Sequence, residues 1–141
     1  MYNIVLFIHV VSAMLLGVYL VIPFIWSKTN DLLADAQYSY LQILTLFNRI
    51  GQYSLIALFI TGGYMVSKVD VTVTWIITVI ALLVLIGALT GMIGSKMKKM
   101  MALNKQGKLI IKEVSSLKLF FWINGIFVVT SIYLMLNQNI I

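Results

Sequence analysis

Cysteine is absent from this chain of 141 residues, and histidine occurs only once, as His9. The lack of cysteine excludes disulfide bonds and thiolate metal ligands. A single histidine cannot supply both axial ligands of a bis-histidine haem within one subunit. The 4 acidic residues lie in loops or at helix ends, which argues against an ion transporter driven by buried carboxylates. No phosphate-binding loop, zinc motif or serine triad is visible, so His9 is the first residue to consider for chemistry.

Charged residues are also scarce, at 10% of the chain, whereas 62% of the residues are hydrophobic. A water-soluble protein of this size cannot bury so much apolar surface. The apolar residues form blocks near or above the roughly 18 to 20 residues that cross a hydrocarbon core about 30 Å thick. Lipid offers no hydrogen bonds to an open backbone, so the spans must be helices. We predict an all-α fold, a membrane-embedded antiparallel four-helix bundle forming one domain over residues 1–141.

The blocks predict helices over about residues 3–26, 31–66, 73–103 and 113–136. The first block lacks a basic start and a small-residue cleavage site, so we expect it to remain in the mature protein. Of the 10 basic residues, 7 lie between the last two blocks, on the same side as Lys28, and only Lys68 flanks the opposite side. By the positive-inside tendency, loops 1 and 3 are cytoplasmic and both termini lie outside a bacterial cell (inner) membrane.

The lysine-rich third loop needs no nucleic acid to explain its charge. Each basic residue near an anionic membrane surface gains about 1 kcal/mol, so anionic lipids are the expected partners of this loop. We therefore interpret the formal charge of +6 as a signal of topology.

His9 lies within the first apolar block, roughly 8 Å below the interface at 1.5 Å per residue. Ser12, Ala13 and Gly17 share its helical face and leave a surface of small side chains beside the imidazole ring. Such a surface suits a flat ligand such as a porphyrin, or another helix. The sequence leaves two interpretations open. His9 is either functional, as an axial haem ligand, a copper ligand or a proton-transfer group, or it is hydrogen-bonded to one of several hydroxyl groups at similar depth, those of Thr61, Thr130, Ser131 and Tyr133.

Arg49 interrupts the second apolar block. An arginine that faces lipid there costs something like 2 to 3 kcal/mol, so we predict that Arg49 binds an anion such as a haem propionate or a lipid head group. The alternative is a side chain that snorkels to the cytoplasmic interface. His9 and Arg49 lie at different depths, so we expect no direct contact between them.

Small residues at four-residue spacing, Gly87, Gly91 and Ser95, mark one face of the third span. Helices approach closely at such faces, so this set predicts helix packing, most often only as a seam and alternatively as a docking site for a larger membrane complex. A homo-oligomer is a further possible partner. Three methionines follow where this helix leaves the membrane. Soft thioethers suit Cu(I), but gap-filling packing explains methionines among lysines at least as well. The three are Met97, Met100 and Met101.

Residues 7–17, FIHVVSAMLLG, together with Arg49 and residues 61–64, TGGY, resemble a superfamily of small bacterial integral membrane proteins. It includes uncharacterised four-helix members, the membrane domain of CopD-type copper-resistance proteins and HemJ-type protoporphyrinogen oxidases. The resemblance implies a helical membrane bundle in which the first-helix histidine, here His9, is associated with haem or a metal.

Together these observations predict a multi-pass plasma-membrane protein that binds b-type haem or a metal through His9, with Arg49 as the anion partner. We expect no enzymatic activity in this leading interpretation. Two alternatives stay open: a non-catalytic accessory subunit of a larger membrane complex, and a HemJ-like porphyrinogen oxidase.

Overall fold

Five helices build the computed structural model, which describes residues 1–26, 34–106 and 111–137. The predicted helix start at residue 31, and the topology-setting Lys28 and Lys108, lie outside the described residues. The helices, in chain order, are α1 (Tyr2–Leu16), α2 (Val18–Trp26), α3 (Ala34–Val66), α4 (Val73–Asn104) and α5 (Ile111–Leu136).

Helices α1 and α2 continue one another, so the described residues make four spans, each long and apolar enough to cross a membrane. No strand occurs among the described residues. The prediction of an all-α four-helix bundle is confirmed, and the apolar spans make this a multi-pass membrane protein.

The first span differs from the continuous helix that we predicted, because it is interrupted at Gly17. There the Leu20 N–H donates to the Gly17 carbonyl over 2.9 Å, a tighter turn than the α-helical pattern. Six residues later, Pro23 has no N–H to donate to the Tyr19 carbonyl. The interruption lets the two halves of the span choose different neighbours: α1 packs along α3, whereas α2 packs mainly against α5.

The two long helices, α3 and α4, have 33 and 32 residues. At 1.5 Å per residue each is about 50 Å long, well beyond a hydrocarbon core of about 30 Å. One end of the bundle carries Met1, Asn137 and the short connection from α3 to α4, and we call it the terminus end. The opposite end carries residues 96–105 with their lysines, and we call it the lysine end.

Side-chain hydrogen bonds show which parts of the helices lie side by side. At the terminus end, Trp75 Nε1 donates to the Leu134 carbonyl over 2.9 Å. Toward the lysine end, Lys96 Nζ donates to Ser116 Oγ over 2.7 Å, and Asn104 Nδ2 donates to Gln37 Oε1 over 2.9 Å. The start of α3 and the end of α4 therefore extend together at the lysine end.

The apolar core is unevenly distributed along the bundle. A large cluster runs from the middle to the lysine end and includes side chains from all four spans, among them Leu16, Tyr19, Trp26 and Phe121. A smaller cluster near the terminus end has its buried side chains on α4 and α5, namely Trp75, Val79, Leu83 and Leu134, and α3 packs against it through Leu55 and Val66. Helix α1 contributes no buried side chain to this second cluster, so the bundle is less closed at the terminus end.

Met97 and Met100 belong to the large cluster and are almost fully buried, with Met101 packed against it. These three methionines fill space between helices, as the packing interpretation predicted.

Candidate functional site

His9 is half-buried where α1 packs along α3. Its Nδ1 atom lies 2.8 Å from Thr61 Oγ1. The imidazole Cε1 also lies 3.5 Å from the position that a Cβ atom at Gly62 would occupy, so the ring packs against α3 at this glycine. The hydrogen bond to Thr61 is the contact that the second interpretation of His9 expected.

The roles of donor and acceptor in the contact between His9 and Thr61 depend on the tautomer of the imidazole ring. Thr61 Oγ1 donates its single hydrogen to the Ala57 carbonyl, 2.7 Å away. When the hydroxyl donates to Ala57, its oxygen accepts from His9, and Nδ1 is then the protonated nitrogen. In the neutral ring Nε2 keeps its lone pair and can bind a metal or accept a hydrogen bond. The contact with Thr61 thus orients the ring without using the nitrogen that would bind a ligand.

A cavity of about 710 Å³ adjoins His9 in the terminus half of the bundle. This volume falls within the range of roughly 300 to 1,000 Å³ for small-molecule and cofactor sites. Side chains from α1, α3, α4 and α5 form its wall, which is almost entirely apolar apart from His9 and the rings of Tyr2 and Trp75. The cavity exists because α1 follows α3 and leaves α4 and α5 uncovered on this side.

Three methionines from three helices, Met14, Met65 and Met135, line the same cavity as His9. Sequence spacing places Met14 on a different helical face from His9, and we did not expect it as a co-ligand. The cavity is wide enough to have both residues in its wall. Thioether sulfur is a soft ligand for iron or copper, so these residues add ligand chemistry to a wall that is otherwise hydrocarbon.

Arg49 is not among the residues that line this cavity. It is exposed on α3, toward the lysine end, and 12 residues separate it from Thr61, or about 18 Å along the helix. The absence of contact with His9 agrees with the difference in depth. Anion binding by Arg49 stays a prediction, and it concerns a different part of the surface from the His9 cavity.

On the small-residue face of α4, Gly87 lies against a neighbouring helix, whereas Gly91 and Ser95 are exposed. A Cβ at Gly87 would lie 3.2 Å from Leu55 Cδ2, so α3 approaches the helix there. At Gly91 an added Cβ would meet no atom within 4 Å, and Ser95 is exposed. The packing of Gly91 and Ser95 against another protein stays a prediction, since no described helix of this chain covers them.

A buried polar cluster in the middle of the bundle was missed at the sequence level. The Tyr19 hydroxyl donates to Asn48 Oδ1 over 2.8 Å, and Asn48 Nδ2 donates to the Thr90 carbonyl over 3.2 Å. Gln52 Nε2 donates to the same carbonyl over 3.2 Å. The cluster links three spans. Polar residues in apolar blocks were its only signal, and their partners depend on helix orientation.

Glycines let the helices approach each other around this cluster. A Cβ at Gly51 would lie 2.4 Å from Tyr19 Cε2, and one at Gly94 would lie 2.9 Å from Asn48 Nδ2. Both distances are shorter than normal contacts, so neither position accepts a larger residue without displacing the cluster.

In contrast to the hydrogen-bonded residues of the polar cluster, Asn124 on α5 is a buried polar residue without a partner among the described residues. Its side chain is fully buried, and neither its amide nitrogen nor its amide oxygen has a hydrogen-bond partner among the described residues. An unpaired amide in such a place costs roughly 1 to 3 kcal/mol.

No group of three or more histidine, cysteine, aspartate or glutamate side chains converges within residues 1–26, 34–106 and 111–137. Family models, curated proteins and solved structures were compared with the chain, and none of them matches.

Proposed function

We propose that this membrane protein binds b-type haem in the cavity beside His9, with His9 Nε2 as an axial ligand of the iron. The observation that carries the proposal is the hydrogen-bond chain from His9 Nδ1 to Thr61 Oγ1 and on to the Ala57 carbonyl. Histidines that bind metals usually donate their other N–H to a protein acceptor, which fixes the ring orientation. Thr61 fills that role for His9, and the resemblance of residues 7–17 and 61–64 to haem-associated bundles supports the same assignment.

The residues of the cavity fit haem better than a bare metal ion. An ion needs several ligands from the protein, and the described residues offer no cluster of hard or thiolate ligands near His9. Haem brings four nitrogen ligands of its own and asks the protein for one or two more. An apolar wall with one available imidazole nitrogen therefore suits the macrocycle. When bound, haem would supply one-electron chemistry, and the chain would hold it, orient it and limit its contact with water.

A thioether is the second ligand that the wall of the cavity supports best. Met14, Met65 and Met135 line it, and the chain has no second histidine and no cysteine. Methionine paired with histidine raises the reduction potential of haem relative to two histidines.

An absorption spectrum of the detergent-purified protein, oxidised and then reduced, tests the proposal, with haem added if the preparation is colourless. We expect a Soret band that shifts on reduction and a stoichiometry near one haem per chain. His9→Ala should abolish the shift without preventing membrane insertion. A protein that stays colourless after haem addition, or a spectrum unchanged by His9→Ala, would contradict the proposal.

Thr61→Val refines the same experiment because it removes the acceptor for Nδ1 and keeps Nε2. We expect haem affinity to fall about 10- to 100-fold, the usual effect of losing a hydrogen bond that orients a ligand. Thr130→Val is the matched control, since Thr130 also donates to the carbonyl four residues earlier but is exposed and contacts no histidine. Equal haem affinity in Thr61→Val and Thr130→Val would contradict the orienting role of Thr61.

The orientation that we propose follows from charge alone. The lysine end faces the cytoplasm of a bacterial cell, where its lysines contact anionic lipids, and the terminus end faces outward. The absence of native cysteine permits a direct test. A cysteine at Asp70 should react with an impermeant thiol reagent in spheroplasts, and one at Gln106 should react only after lysis. The reverse pattern would invert the topology.

An accessory role in a larger membrane complex is the second candidate, favoured by the open surface at Gly91 and the exposed Ser95 on α4. Close helix approach at these residues would bury them. Gly91→Leu should then release the chain from its complex, seen as a smaller particle on native size analysis. Haem binding should be unaffected, which separates this role from the first.

A further inference from the structure

The wall of the His9 cavity continues into the lipid-facing surface of the bundle. Met14 on α1 and Leu136 on α5 both line the cavity, yet they are 76% and 78% exposed. Val10 on α1 and Ile132 on α5 also line it and are exposed. The cavity is therefore open at its side, where α1 and α5 face each other without extended packing.

The depth of Met14 shows that this opening lies within the membrane. Met14 is 12 residues after Tyr2, or about 18 Å along the helix. A hydrocarbon core is about 30 Å thick, so this part of the opening lies near the middle of the bilayer. Water does not reach that depth on the lipid side, whereas acyl chains do.

We propose that the cavity is a lateral binding site for a lipid hydrocarbon chain, which enters from the bilayer through the opening between α1 and α5. The wall is almost wholly apolar, and its volume of about 710 Å³ exceeds what a single side chain fills. A vacuum at bilayer depth would forfeit the dispersion contacts of its lining, so lipid tails fill the cavity when no other ligand does.

This inference shares the cavity with the proposed haem site and rests on it only in treating the cavity as a ligand site. The apolar ligand would arrive from the membrane and not from water. Haem and lipid chains would compete, and each can be measured without the other.

The three tryptophans allow the proposal to be tested with brominated phospholipids, which quench indole fluorescence on contact. Trp75 lines the cavity and is 5% exposed; Trp26 is 1% exposed at the lysine end; Trp122 is 42% exposed on the outside of α5. Single-tryptophan chains, made by replacing the other two with phenylalanine, are reconstituted without haem in vesicles of phosphatidylcholine brominated along its acyl chains.

A lipid tail in the cavity should quench Trp75 nearly as strongly as the exposed Trp122, although Trp75 is buried from the bundle surface. Trp26 should be protected, and it is the matched control because it is a buried tryptophan near the end of its span. Quenching of Trp75 no stronger than that of Trp26 would overturn the proposal.

A cavity-filling variant separates a tail in the cavity from general proximity to lipid. Gly63 lines the cavity, and an added Cβ there would meet no atom within 4 Å, so Gly63→Leu adds bulk without a clash at its first carbon. It should reduce the quenching of Trp75, whereas Gly91→Leu, at an equally open glycine away from the cavity, should not. Equal quenching in both variants would also overturn the proposal.

The outcomes separate the two proposals. Strong Trp75 quenching in a protein that never binds haem keeps the lipid site and removes the haem site. Haem binding with Trp75 protected keeps the haem site and shows that the cavity is closed to the bilayer.

Discussion

The two halves of this bundle differ in how closely their helices pack. In the half toward the lysine end, all four spans meet in one apolar cluster around the hydrogen bonds of Tyr19 and Asn48. In the terminus half, α1 packs mainly along α3, and a cavity lies between it and α4 and α5. The interruption at Gly17 marks the change, because α1 and α2 follow different neighbours on either side of it. One half is thus packed across all four spans, whereas the other half encloses a cavity.

The difference also appears in how the glycines are used. Gly51 and Gly94 are required where helices touch, because a side chain would collide with the polar cluster. Gly63 borders open space in the terminus half. Glycine weakens a helix, so at Gly51 and Gly94 that cost is offset by close packing, whereas at Gly63 it leaves room in the cavity.

Among the variants that test the difference between the two halves, Gly51→Ala should change the free energy of unfolding most. The new methyl group would collide with the Tyr19 ring, and displacing a fully buried tyrosine also strains its bonds to Asn48. We expect a loss of about 1 to 3 kcal/mol in the free energy of unfolding, typical of an overpacked core. Unfolding in mixed detergent micelles, followed by circular dichroism, measures this change.

Gly63→Ala is the matched control for that variant, because the same change falls in open space in the terminus half. It should leave stability unchanged or raise it by up to about 0.5 to 1 kcal/mol through helix propensity. Similar losses in both variants would show that the two halves are equally packed.

Asn48→Leu should cause the next largest change in the free energy of unfolding. It removes the side-chain bonds to Tyr19 and Thr90, and hydrogen bonds between helices in membranes contribute on average about 0.6 kcal/mol each. We expect a loss of about 1 to 2 kcal/mol in the free energy of unfolding. Haem binding beside His9 should persist, since the cluster does not line the cavity. Loss of haem with stability intact would contradict the separation of the two halves.

The smallest effect, and one of opposite sign, should follow Asn124→Leu. This buried amide makes no hydrogen bond among the described residues, so replacing it removes a desolvated polar group and adds apolar contact. We expect the free energy of unfolding to rise by about 1 kcal/mol. The same unfolding assay measures it, with Asn48→Leu as the contrasting asparagine. A clear destabilisation would show that Asn124 has a polar role in the folded state.

Much of the architecture followed from the order of apolar and polar residues. Blocks of apolar residues predicted four helices, because a bilayer accepts only spans that satisfy their own backbone hydrogen bonds. The interruption at Gly17 was not predicted, since a glycine in a membrane helix is common and continuous helix is equally compatible with it. His9 was singled out because an ionisable side chain inside an apolar span is rare.

The partners of the singled-out residues could not be obtained in the same way. Thr61 was one of several hydroxyl groups at the depth of His9, and the structure identifies it as the contact. Arg49 was considered beside His9 as a partner for a shared ligand, but it lies apart from the cavity. Asn48, which links Tyr19 to Thr90, is a polar residue in an apolar block, and its partners depend on how the helices are rotated.

The sequence by itself determined that this protein has four helical spans and one histidine within them, since hydropathy and the length of a span are properties of consecutive residues. Only the tertiary structure decided that His9 contacts Thr61, that three methionines share its cavity, and that this cavity is open at its side between α1 and α5. The physical reason is that rotation and separation of helices depend on side-chain packing between distant residues, which no local pattern encodes.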